Sequence, residues 1–384
     1  MTTTPVAVVT FAAGAGVSLA TSWVLVSRLE RIGGRLRASE AMLGLLAALA
    51  ADAPEITSSI SALTQHQQTV SVGVVLGSNV FNLAALLGLG AVVAGRIALH
   101  RRVVMLEGGI GIWVAAAALL AVLHLVLPVV ALALVLAVLI PYVVFSGLSS
   151  STRRRLSATR LQRWMGLAVA EEELELVVAI HPRRGRSADY FVASAALVIV
   201  VAASVAMERA GTTLGQRFSV PDIVVGTILL AAVTSLPNAV AGVYLARRGR
   251  GAASLSTTLN SNAINITAGF LLPGAILGIG RASANATLVA CWSGGLTLLL
   301  VGFAWRDRGL GRATGATIIA VYGVFVVMVF ATASRTTAAS PSTYLLAVLP
   351  TFAVASMVLI WPRRPAAVGG EDPGPEATAL SRNA

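Results

Sequence analysis

The sequence predicts an all-α membrane protein of about 11 transmembrane helices, with two inverted five-helix repeats and one extra C-terminal helix. Three observations support this prediction. The 384 residues are 57% hydrophobic and only 11% charged, with a mean hydropathy of +0.84. Such a chain is too apolar for a soluble fold of this length. Apolar runs recur that could cross about 30 Å of hydrocarbon, and two polar motifs repeat inside them in the same order.

The apolar runs fall into groups of five, five and one. We place the helices near 5–27, 41–64, 70–94, 103–124, 126–148, 190–209, 222–246, 252–278, 283–305, 312–333 and 342–361. The domains are then a first half (1–148), a cytoplasmic loop (149–189), a second half (190–333), an extra C-terminal helix (334–361) and a disordered tail (362–384). The charged central loop is interpreted as a solvated linker, with a regulatory loop that binds an ion or lipid as the alternative.

The distribution of basic residues predicts the orientation. The chain has no lysine, so all 28 basic residues are arginine. If the N-terminus lies outside and the C-terminus in the cytoplasm, 24 arginines face the cytoplasm and only Arg209, Arg217, Arg281 and Arg335 lie outside. Basic residues accumulate in cytoplasmic loops, so we expect a multi-pass protein of the cell membrane in this orientation. The net charge of +12 then reflects topology and membrane lipid as a partner, not nucleic acid.

The polar motifs define two copies of one pattern, the first copy (41–94) and the second copy (222–278). DAPE at 52–55 precedes GSNVFN at 77–82, and SLPN at 235–238 precedes NSNAIN at 260–265. The copies lie 183 residues apart, and five predicted crossings separate them, so the second is inverted. An internal repeat of polar residues inside apolar segments is typical of a transporter core.

Two carboxylates lie deep in the second predicted helix. Asp52 and Glu55 have i, i+3 spacing and so share one face. An acid at this depth costs several kcal/mol unless it meets a cation, a proton or water, so both are candidates for a functional site. The alternative is a pair of acids at a wet helix end.

A proline stands beside a polar residue in each copy. Pro54 and Pro237 leave unpaired the carbonyls of Ala50 and Val233, four residues earlier. Freed carbonyls inside a membrane are tolerated where they line a cavity or coordinate an ion. A simple helix kink is the alternative interpretation.

The next helix of each copy supplies further oxygen donors. The full set of candidate metal ligands is Ala50, Asp52, Glu55, Ser78, Asn79, Asn82, Val233, Thr234, Ser235, Asn238, Ser261, Asn262 and Asn265. The alternative is that Gly, Ser and Asn here only allow close helix packing. The set contains no thiol or imidazole, which favours hard cations such as Na⁺ and Ca²⁺ over zinc or copper.

These motifs resemble the α-repeats of the cation/calcium exchanger superfamily, where a motif like G-T-S-x-P-E is joined to one like G-S-N-x-F-N. The resemblance implies ten core helices in two inverted halves, with alternating access through movement of the first and sixth. It also implies ion-binding roles for Glu55, Ser78 and Asn82 in the first copy, and for Thr234, Ser235, Ser261 and Asn265 in the second.

Two departures from the family pattern matter for the charge of the site. Asn238 stands where the family has Glu or Asp, and Asp52 stands where the first repeat usually has Ser. The second copy has therefore lost its acid, while the first has gained one a single turn away. We hypothesise that Asp52 compensates for Asn238 at the same site.

The leading functional hypothesis is a secondary antiporter that exchanges Ca²⁺ for Na⁺, with transported cations as its ligands and no cofactor. H⁺ coupling is the runner-up, because two acids on one helix face could share a proton. A non-transporting, ion-sensing membrane protein is the rival from another class. An enzyme is not expected, since no His lies near Asp52 or Glu55 in a catalytic pattern. Glu107, near a helix end, is expected to reach the membrane interface.

Overall fold

The computed structural model describes residues 3–35, 40–148, 150–156, 159–177, 186–280, 284–333 and 351–352. These residues are mostly helical, and seven helices among them are long and apolar enough to cross a membrane. One bent pair of helices meets the same criteria together and gives an eighth candidate span. The chain is therefore a multi-span membrane protein. The count of 11 helices stays a prediction, because several predicted spans are divided into shorter helices.

In the described part of the first half there are seven α-helices and one short strand. They are α1 (Thr4–Arg35), α2 (Glu40–Ala51), α3 (Ala53–Thr64), α4 (Gln68–Asn82), α5 (Gly90–Ala94), β1 (Arg96–Ala98), α6 (Arg101–Val122) and α7 (Pro128–Gly147). A π-helical segment, Leu83–Leu89, joins α4 to α5, so that Gln68–Ala94 forms one long span. Gly95 ends this span with φ of 83°, a left-handed conformation that favours glycine.

The loop between the halves differs from the predicted solvated linker. It contains two helices, α8 (Ser150–Leu156) and α9 (Arg160–Val177). Ala168 and Val169 of α9 are buried in the main hydrophobic core. At the start of α6, Glu171 forms an ion pair of 3.5 Å with Arg102, and its carboxylate lies 2.8 Å from Nδ1 of His100. The prediction of a solvated linker was thus wrong for α9, which packs its small apolar residues against the transmembrane helices.

Eight α-helices and one short strand lie within the described residues of the second half. They are α10 (Ser187–Arg217), α11 (Asp222–Val224), α12 (Ala231–Thr234), α13 (Leu236–Arg247), α14 (Gly251–Ile264), α15 (Leu272–Leu277), α16 (Ala284–Asp307), β2 (Gly309–Gly311) and α17 (Arg312–Ala333). π-helical segments join α11 to α12 and α14 to α15. The predicted extra helix (334–361) and tail (362–384) lie outside the described residues, apart from 351 and 352.

Helices α1 and α10 pack along each other as an antiparallel pair. Ser18 and Ser204 share a hydrogen bond of 2.8 Å between their hydroxyls near the middle of the pair. Arg28 forms an ion pair of 2.7 Å with Asp189 toward one end. Both helices carry many exposed apolar side chains on their outer surfaces, as expected for helices that face lipid.

The centre of the protein is formed by the span that begins with α4, in the first copy, and by the segments of the second copy that pack against it. The apolar part of the span Gln68–Ala94 is almost entirely buried inside the protein. A Cβ on Gly77 would lie 2.6 Å from the Thr227 carbonyl oxygen, and one on Gly226 would lie 2.5 Å from that of Val70. Glycine is therefore required at both positions, and the two copies approach each other backbone to backbone.

Strands β1 and β2 form a two-stranded antiparallel sheet that joins the two halves. Ile97 is paired with Leu310, and both side chains are buried. The sheet ties the end of the first copy to the connection between α16 and α17.

Candidate ion-binding site

The acids of the first copy lie at a break between two helices. Asp52 alone separates α2 from α3. Pro54, in the first turn of α3, has no N–H to donate to the Ala50 carbonyl. The Ser22 hydroxyl of α1 donates to the Ala50 carbonyl at 3.0 Å, in place of the missing N–H. The predicted proline effect is thus present, and the freed carbonyl is bonded to α1; a role for Ala50 as an ion ligand stays a prediction.

The second copy has the same break. Ser235 alone separates α12 from α13, and the helical segments on either side meet at 51°. Pro237 occupies the first turn of α13. The hydroxyl of Thr234 donates to the carbonyl of Leu230 in its own helix at 2.9 Å. Val233 is half-buried, and its role as a ligand stays a prediction. Both copies therefore place polar groups where the helical hydrogen-bond pattern is interrupted.

Asp52 and Glu55 are fully buried, and both bond to the second copy. Asn238 donates its side-chain amide to Asp52 Oδ1 at 2.6 Å and to Glu55 Oε1 at 3.3 Å. The Ser261 hydroxyl donates to Asp52 Oδ1 at 2.6 Å, and the Ser235 hydroxyl donates to Glu55 Oε1 at 3.0 Å. We call these five residues the central cluster. It combines two carboxylates, one amide and two hydroxyls from the two copies.

The asparagines of α4 and α14 divide into two roles. The side-chain amide of Asn79 donates to the main-chain carbonyl of Asn262 at 3.2 Å, and Asn262 returns the same bond to Asn79 at 3.2 Å. Asn82 donates to the Ser261 hydroxyl at 3.3 Å and to Asn262 Oδ1 at 3.1 Å. Asn82 thus extends the central cluster, whereas Asn79 and Asn262 crosslink the two helices.

Several buried oxygens of the predicted ligands have no hydrogen-bond partner among the described residues. They are Asp52 Oδ2, Glu55 Oε2, Ser78 Oγ, Asn79 Oδ1, Asn82 Oδ1 and Asn265 Oδ1. A buried acceptor without a partner costs free energy, about 1–3 kcal/mol and more when it is charged. Ser78 and Asn265 are fully buried, but within the described chain no hydrogen bond joins either to the central cluster. The free oxygens on the two acids and on Asn82 are suited to bind a cation.

The charge of the central cluster is also uncompensated. Within the described residues, no basic side chain forms an ion pair with Asp52 or Glu55. The same part of the chain contains no group of three or more His, Cys, Asp or Glu that could hold a metal ion. The donor set is instead two carboxylates surrounded by neutral oxygens. Such a set suits a small hard cation, whose charge would offset the cost of burying the acids.

Comparison with known families decides the relationship of the chain. The model of the family described as "Sodium/calcium exchanger protein" matches residues 6–169 and 189–331, well over half of the sequence. The chain belongs to the sodium/calcium exchanger family. Among individual relatives, sodium/potassium/calcium exchanger 4 of Mus musculus is 28% identical over 125 residues. That match covers 30% of this chain and only 20% of the relative's length.

Solved structures share the exchanger fold. The structure of the H⁺/Ca²⁺ exchanger CAX has a TM-score of 0.61 and 13% identity, covering 92% of this chain and 91% of that one. The structure of the sodium-calcium exchanger NCX_Mj has a TM-score of 0.50 and 20% identity, covering 85% of this chain and 99% of that one. At such low identity, the likeness shows the fold alone.

In this exchanger-family chain, a cavity of about 190 Å³ reaches the central cluster from one side. Asn238 forms part of its wall, together with Ser22 and Glu30 of α1 and Tyr244 of α13. This volume has room for several water molecules. The cavity therefore connects the cluster with the end of α1 that carries Glu30, a residue that the sequence reasoning did not include in the site.

Two further acids are buried, Glu107, which the sequence reasoning misplaced, and Glu208, which it missed. Glu107 is 1% exposed and accepts a hydrogen bond of 2.8 Å from the Tyr142 hydroxyl, which itself accepts one of 3.2 Å from Asn260. The prediction that Glu107 reaches the membrane interface was wrong, because its side chain is buried. Its hydrogen-bond partner, Tyr142, comes from another helix, α7. Glu208 is fully buried on α10. Its position inside an apolar run was a signal that could have found it.

Proposed function

We propose that this chain is a secondary active antiporter that exchanges Ca²⁺ for Na⁺ by alternating access at the central cluster. One observation carries the proposal: Asp52 and Glu55 meet Asn238 of the other copy in a buried cluster with free carboxylate oxygens. Two carboxylates can neutralise one Ca²⁺ or accompany two Na⁺. The same oxygens can therefore bind either ion in turn, which is the requirement for exchange at one site.

The arrangement of the helices supports alternating access. The cavity that Asn238 lines runs along the half of α1 that carries Glu30. The reciprocal bonds between Asn79 and Asn262 relate equivalent positions of the two copies, as two inverted repeats about a two-fold axis would. Movement of α1 with α10 would then open the opposite side. The family match supports transport, with no catalytic step.

In this proposal the chain lies in the cell membrane with its N-terminus outside. The distribution of arginines, 24 to 4, supports that orientation. The cavity beside Glu30 then opens toward the cytoplasm, and membrane lipid covers the exposed apolar side chains of α1 and α10.

H⁺ coupling is the second candidate, and one contact favours it. The amide of Asn238 reaches both carboxylates, at 2.6 and 3.3 Å, so the acids are close enough to repel each other. One proton shared by Asp52 and Glu55 would remove this repulsion. A proton could therefore replace Na⁺ as the ion exchanged for Ca²⁺.

The test is ion flux into proteoliposomes that contain the purified full chain. Vesicles loaded with Na⁺ should take up radioactive ⁴⁵Ca²⁺ when the external solution lacks Na⁺, and equal Na⁺ on both sides should abolish uptake. A pH gradient without Na⁺ tests the H⁺ alternative, and external Mg²⁺, Mn²⁺ or K⁺ tests selectivity. Glu55→Gln should be inactive, whereas Asp222→Asn, at an exposed acid at the start of α11, should transport normally. Ca²⁺ binding without flux under either gradient would support an ion sensor and contradict the proposal.

A further inference from the structure

A second buried acid faces α3 from the neighbouring helix α10. Glu208 is fully buried, and its Oε2 accepts hydrogen bonds from the Ser61 hydroxyl at 2.7 Å and the Gln65 amide at 2.9 Å. Its other oxygen, Oε1, has no hydrogen-bond partner among the described residues. The adjacent Arg209 is exposed, and the described residues show no ion pair between Arg209 and Glu208. Glu208 thus carries a free carboxylate oxygen in the interior.

Glu208 lies at the far end of a row of oxygen-bearing side chains on α3. The row consists of Glu55, Ser58 and Ser61 of α3, followed by Gln65 directly after its last residue. Their spacings of three, three and four residues place them on one face of the helix. Ser58 is fully buried, and its hydroxyl has no partner within the described chain. Over ten residues the row extends about 15 Å. It connects the central cluster, through Glu55, with the end of α3.

This row leads away from the cavity. In the antiparallel pair, Ser18 of α1 is level with Ser204 of α10, and Glu30 lies toward the end where Arg28 meets Asp189. Glu208 lies on the other side of Ser204, toward the C-terminal end of α10. The cavity and Glu208 are therefore on opposite sides of the central cluster, and Glu208 lies where a path to the second membrane face would run.

We propose that Glu208, Ser61 and Gln65 form a second cation site, which holds a monovalent hard cation such as Na⁺ between the central cluster and that membrane face. The inference rests on the proposed function for its role in transport. Carboxylate and hydroxyl oxygens are ligands that hard cations prefer, and rotation of the Gln65 amide adds its carbonyl oxygen. A single carboxylate balances one monovalent charge. The bonds to Ser61 and Gln65 hold the acid in place when no cation is bound.

The test is equilibrium binding of radioactive ²²Na⁺ to the purified full chain. In the variant Asp52→Asn/Glu55→Gln the central cluster has lost both charges, so Na⁺ that remains bound reports the second site. We expect this double variant to bind one Na⁺ per chain, and addition of Glu208→Gln to abolish that binding. Ser61→Ala in the same background should weaken it about ten-fold, equivalent to about 1.4 kcal/mol. Asp222→Asn in that background should bind as the double variant does.

The outcomes separate this site from the proposed function. If the double variant binds no Na⁺, or if Glu208→Gln leaves its Na⁺ bound, the second site does not exist and Glu208 only joins α10 to α3. The Na⁺ binding of the double variant, with and without Glu208→Gln, can be interpreted even if the wild-type chain fails to exchange ions in vesicles. Melting temperatures of all variants identify misfolding, and Glu208→Gln is nearly isosteric, so loss of binding by a well-folded protein supports the proposal.

Discussion

Asn238 and Asp52 are joined by a hydrogen bond of 2.6 Å, and they are the two departures from the resembled motif pattern that change where its acids lie. Under the compensation hypothesis, the first copy supplies the acid that the second copy lacks, next to the amide that stands in its place. The central cluster contains two carboxylates, both from the first copy. This contact gives the compensation hypothesis a physical basis, and the variants below test it.

The first prediction concerns the displaced acid. Asp52→Asn and Glu55→Gln should each reduce Na⁺-dependent ⁴⁵Ca²⁺ uptake by about ten-fold or more, because each removes one of the two charges that neutralise Ca²⁺. The measurement is initial uptake into proteoliposomes, with Asp222→Asn as the matched control. Wild-type uptake by Asp52→Asn, alongside an inactive Glu55→Gln, would show that Asp52 does not serve the site.

The second prediction restores an acid to the second copy. Asn238→Asp places a third carboxylate beside Asp52, so the ion-free protein should melt at a lower temperature and Ca²⁺ should raise that temperature more than in wild type. Thermal unfolding with and without Ca²⁺ measures both effects, and selectivity between Ca²⁺ and Na⁺ should also change. Gln216→Glu makes the same amide-to-acid change at an exposed position of α10 and should alter neither. An unchanged Ca²⁺ response in Asn238→Asp would place residue 238 outside the site.

The third prediction concerns the freed carbonyl at the break in the first copy. Ser22→Ala removes the hydroxyl that donates to Ala50 at 3.0 Å, so the chain should lose about 1–3 kcal/mol of stability. Thermal unfolding in detergent provides the measurement. The control is Thr21→Ala, whose hydroxyl bonds only to carbonyls of its own helix. Equal melting temperatures for the two variants would mean that this bond contributes nothing.

The fourth prediction concerns the close approach of the two copies. Gly77→Ala would place a methyl group 2.6 Å from the Thr227 carbonyl oxygen, so α4 must shift and stability should fall by about 1–3 kcal/mol. Gly109→Ala is the matched control, because its Cβ would meet nothing within 4 Å. Both are read as melting temperatures. A Gly77→Ala protein as stable as Gly109→Ala would contradict the backbone contact described above.

The repeat in the sequence was sufficient to predict part of the central cluster, although Ser78 and Asn265 form no hydrogen bond to it within the described chain. Two motifs with the same internal spacing indicated that Glu55 and Asn238 belong to one site, and the structure joins them by a hydrogen bond of 3.3 Å. Helix breaks beside Pro54 and Pro237 were likewise predictable, because proline acts locally on the hydrogen bond of its own helix.

Contacts between unrelated helices could not be predicted in this way. Spacing along a helix tells which residues share a face, but it does not tell what lies across from that face. The bonds of Glu107 to Tyr142 and of Glu208 to Ser61 join segments with no sequence similarity, so no repeat indicated them. The packing of α9 was missed for a related reason, since its sequence does not tell which helices lie across from its apolar residues.

The paired bonds between Asn79 and Asn262 have a mechanical consequence. Each asparagine both gives and receives a bond at the same level, so sliding of α4 along α14 would break both bonds together. The crossing of these two helices therefore acts as a fixed pivot. In the proposed alternating access, a rearrangement that keeps both bonds would leave this pivot in place, and the moving parts would be the helices at the periphery.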